Sequence, residues 1–213
     1  ELGGILLGRN VDPSSLEVGE VAKLASHEIL SVREAAWKFY RENKPRLLAD
    51  MSAAIKILDA SWDDSRQVAF EVFRGFSEHD FTPDVLVAVC DSVRADVQAF
   101  GRELVTRFFQ EGHGHEYLLR LSEHPSAEVQ LFATNYLENY AAGSLERLRA
   151  LEPYFLGVLS RVNRGRVAKA RVFAFLKAES EKSPEAAQLV ATLMTRQSLT
   201  MAIGDKAASI ESM

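Results

Sequence analysis

The chain has 213 residues, of which 47% are hydrophobic and 26% charged, and its formal net charge is −5. The apolar share excludes an intrinsically disordered chain, which cannot repay its ordering entropy by burial, and twelve Gly with six Pro are too few for a collagen-like or low-complexity sequence. The mild acidity argues against a general nucleic-acid binder, whose affinity comes from neutralising phosphates.

One cysteine, Cys90, cannot form an intramolecular disulfide, which points to a reducing, cytoplasmic compartment. It sits in Val-Leu-Val-Ala-Val-Cys, where a buried thiol is expected. No run reaches the roughly 18 apolar residues of a membrane span, so no membrane partner is expected. The start, Glu1-Leu-Gly-Gly-Ile-Leu-Leu-Gly, lacks the basic leader of a signal peptide. It also lacks an initiator Met, which points to a piece of a longer protein.

In chain order, apolar periodicity predicts helices at 16–27, 31–43, 46–59, 63–76, 83–91, 93–110, 115–123, 126–141, 144–160, 165–180, 184–197 and 203–213. Ser14 with Glu17, and Ser31 with Glu34, have capping-box spacing. Thr82-Pro83 and Ser183-Pro184 set a cap residue before a proline whose missing N–H costs nothing at a helix start. Gly75, Gly112 and Gly143 fall where helices should stop. The joins are short, so consecutive helices should pack as antiparallel neighbours.

The second helix of each pair carries one recurring stripe. It reads Val32, Ala35, Ala36, Phe39, Tyr40, then Ser65, Val68, Ala69, Val72, Phe73, then Val97, Phe100, Gly101, Leu104, Val105, then Val129, Phe132, Ala133, Tyr136, Leu137. The starting positions are 33, 32 and 32 residues apart. The middle residue is always small (Ala36, Ala69, Gly101, Ala133), which lets a neighbouring helix approach closely. A fifth copy fits at Val167, Ala170, Ala174 and Phe175, with Arg171 on an expected apolar position. A sixth, Ile203-Gly-Asp-Lys-Ala-Ala-Ser-Ile210, stops short at Met213. Two helices per unit at this period predict an all-α, right-handed α-solenoid of about five to six stacked antiparallel helix pairs. The units are approximately 14–44, 45–77, 81–111, 113–142, 144–181 and 183–213, in a single domain spanning 1–213.

Leu24-Ala-Ser-His-Glu-Ile-Leu-Ser-Val-Arg-Glu-Ala-Ala36 resembles the HEAT-repeat pattern of a leucine-bearing helix end, a short turn and Val-Arg-x-Ala-Ala. Asp63-Asp-Ser-Arg-Gln-Val-Ala69 and Gly204-Asp-Lys-Ala-Ala208 are similar at the turn and second helix. The third and fourth copies carry Gln98 and Gln130 where the family favours Arg. The resemblance implies that Arg33 and Arg66 bind turn carboxylates or carbonyls and tie neighbouring units together. It also implies that the second helices line a concave face, onto which Arg41 and Arg74 would project.

The expected function is a non-catalytic scaffold that binds a protein partner through one face of the stack, with no cofactor. Candidate partner-binding residues are Arg41 and Arg74, together with Arg161, Arg164, Arg166, Lys169 and Arg171, five cations within eleven residues and no acid among them. That basic stretch carries the alternative, binding of nucleic acid or another polyanion. His27-Glu28 and His115-Glu116 are similar to the His-Glu pairs of HEAT-like metal hydroxylases, which carry a fuller set at matching positions. Bilin lyases share the architecture, but no residue pattern here carries their activity. Trp37 is expected to pack, and Trp62, just before Asp63-Asp64, is a candidate exposed anchor.

Overall fold

A computed structural model describes residues 15–161, 165–198, 207, 209 and 210. The chain is all-α: among the described residues every regular element is helical. It divides into two compact units, Glu1–Phe108 and Phe109–Met213.

The first unit holds α1 (Val18–Leu24), α2 (Leu30–Glu42), α3 (Lys44–Ala49), α4 (Met51–Ala54), a 3-10 segment Ile55–Asp59, α5 (Asp63–Arg74), α6 (Pro83–Cys90) and α7 (Ala95–Phe108). First helices pack on first helices: α1 lies against α4 and the 3-10 segment, and that segment lies against α6. Second helices pack on second helices, α2 on α5 and α5 on α7, while α6 and α7 pair with each other. Rings run through this core from Phe39 and Tyr40 to Phe73, Phe76, Phe81 and Phe108. The buried Tyr40 hydroxyl donates to the Ala54 carbonyl at 2.9 Å, so the ring joins a second helix to its neighbour without stranding a polar atom.

The second unit holds α8 (Gly114–Ser122), α9 (Ala127–Ala133), a 3-10 turn Thr134–Tyr136, α10 (Leu137–Ala141), α11 (Leu145–Ala150), α12 (Glu152–Leu159), α13 (Arg166–Ser180) and α14 (Pro184–Ser198). The same order recurs: α8 packs on α12 and α12 on α14, while α9 packs on α13. Tyr154, Phe155, Phe175, Leu176 and Met194 form the centre of its core.

The small middle position of the stripe works by close approach. A Cβ added to Gly101 would lie 2.7 Å from the Cys90 backbone nitrogen, so α7 presses against the end of α6. Ala36 and Ala69 at the equivalent places are fully buried, and Ala133 is 1% exposed. Ser65 stands where three copies carry valine. Its hydroxyl donates to the Ala25 carbonyl at 2.7 Å and accepts from the Trp37 indole at 2.9 Å.

Several expectations are corrected. The fifth stripe is one residue later than expected: Val167 is 55% exposed, and Ala170 and Ala174 are exposed as well. Ala168, Val172, Phe173, Phe175 and Leu176 are its buried apolar residues, which moves Arg171 to the rim of the core. The helix expected at 46–59 starts at Lys44 and breaks at Asp50, whose side chain accepts from Ala53 N–H at 3.0 Å. The helix expected at 144–160 breaks at Leu151, because Pro153 follows in the first turn of α12 and has no N–H to continue the ladder. Ser31 caps nothing, since α2 already begins at Leu30. Thr82 and Ser183 do cap, accepting from Val85 and Ala186 N–H. Gly143 turns with φ +73, a conformation that favours glycine. Ser14 and most of 203–213 lie outside the described residues.

Candidate functional site

The turn between the two helices of a pair is built the same way four times. Arg33 Nη1 donates to the His27 carbonyl, and Arg66 Nη1 to the Ala60 carbonyl, at 3.0 and 2.9 Å. Gln98 Nε2 donates to the Ser92 carbonyl at 2.7 Å, and Gln130 Nε2 to the His124 carbonyl. Each bond spans six residues. In three of the four turns the residue that supplies the carbonyl also caps the turn. His27 Nδ1 accepts from Ile29 N–H, Ser92 Oγ from Arg94 N–H and His124 Nδ1 from Ser126 N–H, at 3.1, 3.2 and 2.9 Å. Sequence reasoning missed this capping role. The signal was present in the alignment of the copies, where His27, Ser92 and His124 share one position.

In the first unit the turns are also joined by charge. Arg33 Nη2 binds Asp64 Oδ2 of the next pair at 2.7 Å, and Arg66 Nε binds Asp96 Oδ2 at 2.7 Å. Both arginine side chains are sunk, 7% and 11% exposed, while their carboxylate partners stay 40% and 37% exposed. Burial alone would raise the pKa of Asp64 and Asp96, but the hydrogen bonds and charge of the arginines outweigh it and hold both below the usual carboxylate range. The Arg33 guanidinium also lies 4.4 Å from the Trp62 ring centre. Trp62 is 42% exposed.

Toward the other end of the second helices, Arg41 pairs with Glu71 at 3.4 Å and Arg74 grips Glu103 with two bonds of 2.7 and 2.8 Å. The hydrogen bonds from Arg74 lower the Glu103 pKa. All four side chains are substantially exposed. Beside them Tyr40, Arg41, Lys44, Glu71 and Phe76 line a groove of about 290 Å³ between α2 and α5. In the second unit a groove of about 520 Å³ occupies the matching place between the second helices of consecutive pairs, lined by Asn135, Glu138, Arg171 and Lys182.

The described cations of the fifth pair meet different neighbours. Arg161 turns inward and donates to the Ser122 carbonyl and Gln130 Oε1, and burial lowers its pKa. Arg171 donates to Thr134 Oγ1 and Asn135 Oδ1 at 2.9 and 2.7 Å. Lys169 is buried and Arg166 exposed. Arg164 lies outside the described residues.

His27 is occupied by its turn, and His115 begins a different element, α8, so the two His-Glu pairs sit in unlike places. Among the described residues, no group of three or more His, Cys, Asp and Glu side chains is placed to hold a metal. Burial pushes the Cys90 thiol up to about 12, so it is an inert core residue rather than a nucleophile. Among the described residues no helix is long and apolar enough to cross a membrane. Comparison with family models, curated proteins and solved structures gave no match.

Proposed function

We propose that the chain is a right-handed HEAT-like α-solenoid acting as a non-catalytic scaffold, which binds a protein partner along its second-helix face. The observation that carries this reading is the pairing of like with like: residues at equivalent positions repeat the same turn bonds, and first and second helices keep to their own rows. Stacked pairs of this kind align their second helices within each unit, a surface suited to extended partners. In the first unit Arg41, Arg74, Glu71 and Glu103 are exposed on these helices, and each unit has a groove between consecutive second helices.

The test is affinity capture with the full chain and with an Arg41→Glu, Arg74→Glu variant of unchanged helix content. A partner retained by the parent chain and lost by the variant is the expected result. Identical retention by both, or no retention by either, would overturn the reading.

A further inference from the structure

The two grooves between second helices are lined by the same positions of the repeat. Tyr40 and Leu137 are each the last stripe residue of the first wall. Val72 and Phe175 are each the fourth stripe residue of the second wall, once the fifth stripe is read from Ala168. Gly75 and Ala178 follow them three residues on. What differs between the grooves is the charge that crosses them.

Across the first groove Arg41, next after the stripe, pairs with Glu71 at 3.4 Å. Arg74 and Glu103 hold the same two positions in the following pairs and make two bonds of 2.7 and 2.8 Å. In the second unit these positions are Glu138 and Ala174, both exposed. A carboxylate stands where arginine stood twice before, and a methyl group lies across from it where glutamate stood. Among the described residues no cation pairs with Glu138: Lys182 binds Glu179, and Arg171 donates to Thr134 and Asn135. With the rung gone the groove is larger, about 520 Å³ against about 290 Å³.

We propose that this groove seats an arginine side chain of a partner protein, its guanidinium on Glu138 and its stem along Ala174 and Ala178. The guest replaces the rung that Arg74 and Glu103 supply from within the chain in the first unit. Arginine fits better than lysine because its planar fork can meet both carboxylate oxygens, while its methylenes cover the exposed alanines. One helical turn before Ala174, the exposed Arg171 bonds only neutral oxygens. An acidic residue beside the guest arginine would meet it, so the segment read here is of mixed charge. The inference rests on the second-helix face being a protein-binding surface and adds which residue of the partner is read there.

The isotope-labelled full chain is followed by NMR as it is titrated with the peptide acetyl-Glu-Arg-Ala-amide. The control is the same peptide with citrulline, the neutral isostere of arginine. Amide signals around Glu138 and Ala174 shift with the arginine peptide, and citrulline weakens binding several-fold. Glu138→Gln weakens the arginine peptide by a similar factor and erases the difference between the two peptides. Ala174→Arg sets a cation across from Glu138 within the chain, restores the rung and abolishes binding. Both positions are exposed, so circular dichroism of the variants stays as in the parent chain. Equal affinity for the two peptides, unchanged affinity in Glu138→Gln, shifts confined to the first unit, or no shifts at all would refute the proposal. A chain that captures a partner but ignores the arginine peptide would sink this inference and leave the scaffold reading standing. A chain that binds the peptide through Glu138 but captures no partner would do the reverse.

Discussion

Gln98 donates its side-chain amide to the carbonyl of Ser92, six residues upstream, as Arg33 donates its guanidinium to the carbonyl of His27. The two side chains differ in charge and length, yet they close the same turn. Arg33 does more: it also reaches the Glu28 carbonyl at 3.0 Å and the Asp64 carboxylate of the next pair.

That difference sets an order of stability losses. Gln98→Ala removes one hydrogen bond from a half-buried turn and costs about 1 kcal/mol. Arg33→Ala strips the His27 and Glu28 carbonyls of their side-chain donor and removes the ion pair to the partly exposed Asp64, and costs about 2 kcal/mol. Arg33→Gln falls between, keeping one carbonyl bond and losing the link to Asp64. Denaturant midpoints of the three variants check the order.

Gly101→Ala tests the close approach of α7 to α6. Alanine is accommodated at Ala36, Ala69 and Ala133, but at Gly101 the new Cβ would meet the Cys90 backbone at 2.7 Å. Backbone cannot step aside as a flexible side chain can, so the substitution costs about 2 kcal/mol despite alanine's better helix propensity. A rise in melting temperature would contradict the packing described here.

Acid should unlink the turns in a defined direction. Asp64 and Asp96 are held below their ordinary value of 3.8 in the folded chain. The unfolded chain therefore takes up these protons first. Their stabilisation is complete above the unfolded value, near pH 4, and is lost as pH falls through the lower folded values. An Asp64→Asn, Asp96→Asn chain is less stable at neutral pH and loses less stability between about pH 4 and pH 2 than the parent chain. Urea denaturation across that range measures both effects.

The all-α class, most helix positions and the stripes of the first four pairs were legible because packing demands recur at a fixed interval. The roles of Arg33 and Arg66 were legible because the resemblance implied a bond to carboxylates and carbonyls. The fifth stripe was misread by one residue because Val167, Ala170 and Ala174 are apolar but solvent-facing, and small apolar residues on a helix do not declare a side. The basic run from Arg161 to Arg171 looked like one feature because residues close in sequence were counted together. Arg161 precedes α13, whereas Lys169 and Arg171 lie within it, so the three side chains meet different neighbours. The turn caps at His27, Ser92 and His124 escaped notice because histidine and serine share no composition class, only an acceptor atom at the right height.

Glu179, 2% exposed, accepts the Gly143 N–H at 2.8 Å and binds Lys182 Nζ at 2.5 Å. Gly143 lies 36 residues upstream of that carboxylate. The left-handed turn and the carboxylate that receives its amide are therefore distant in sequence and adjacent in the fold. The entrance to this helix pair is thus closed by the far end of the same pair, one hydrogen bond joining backbone and carboxylate across 36 residues of chain.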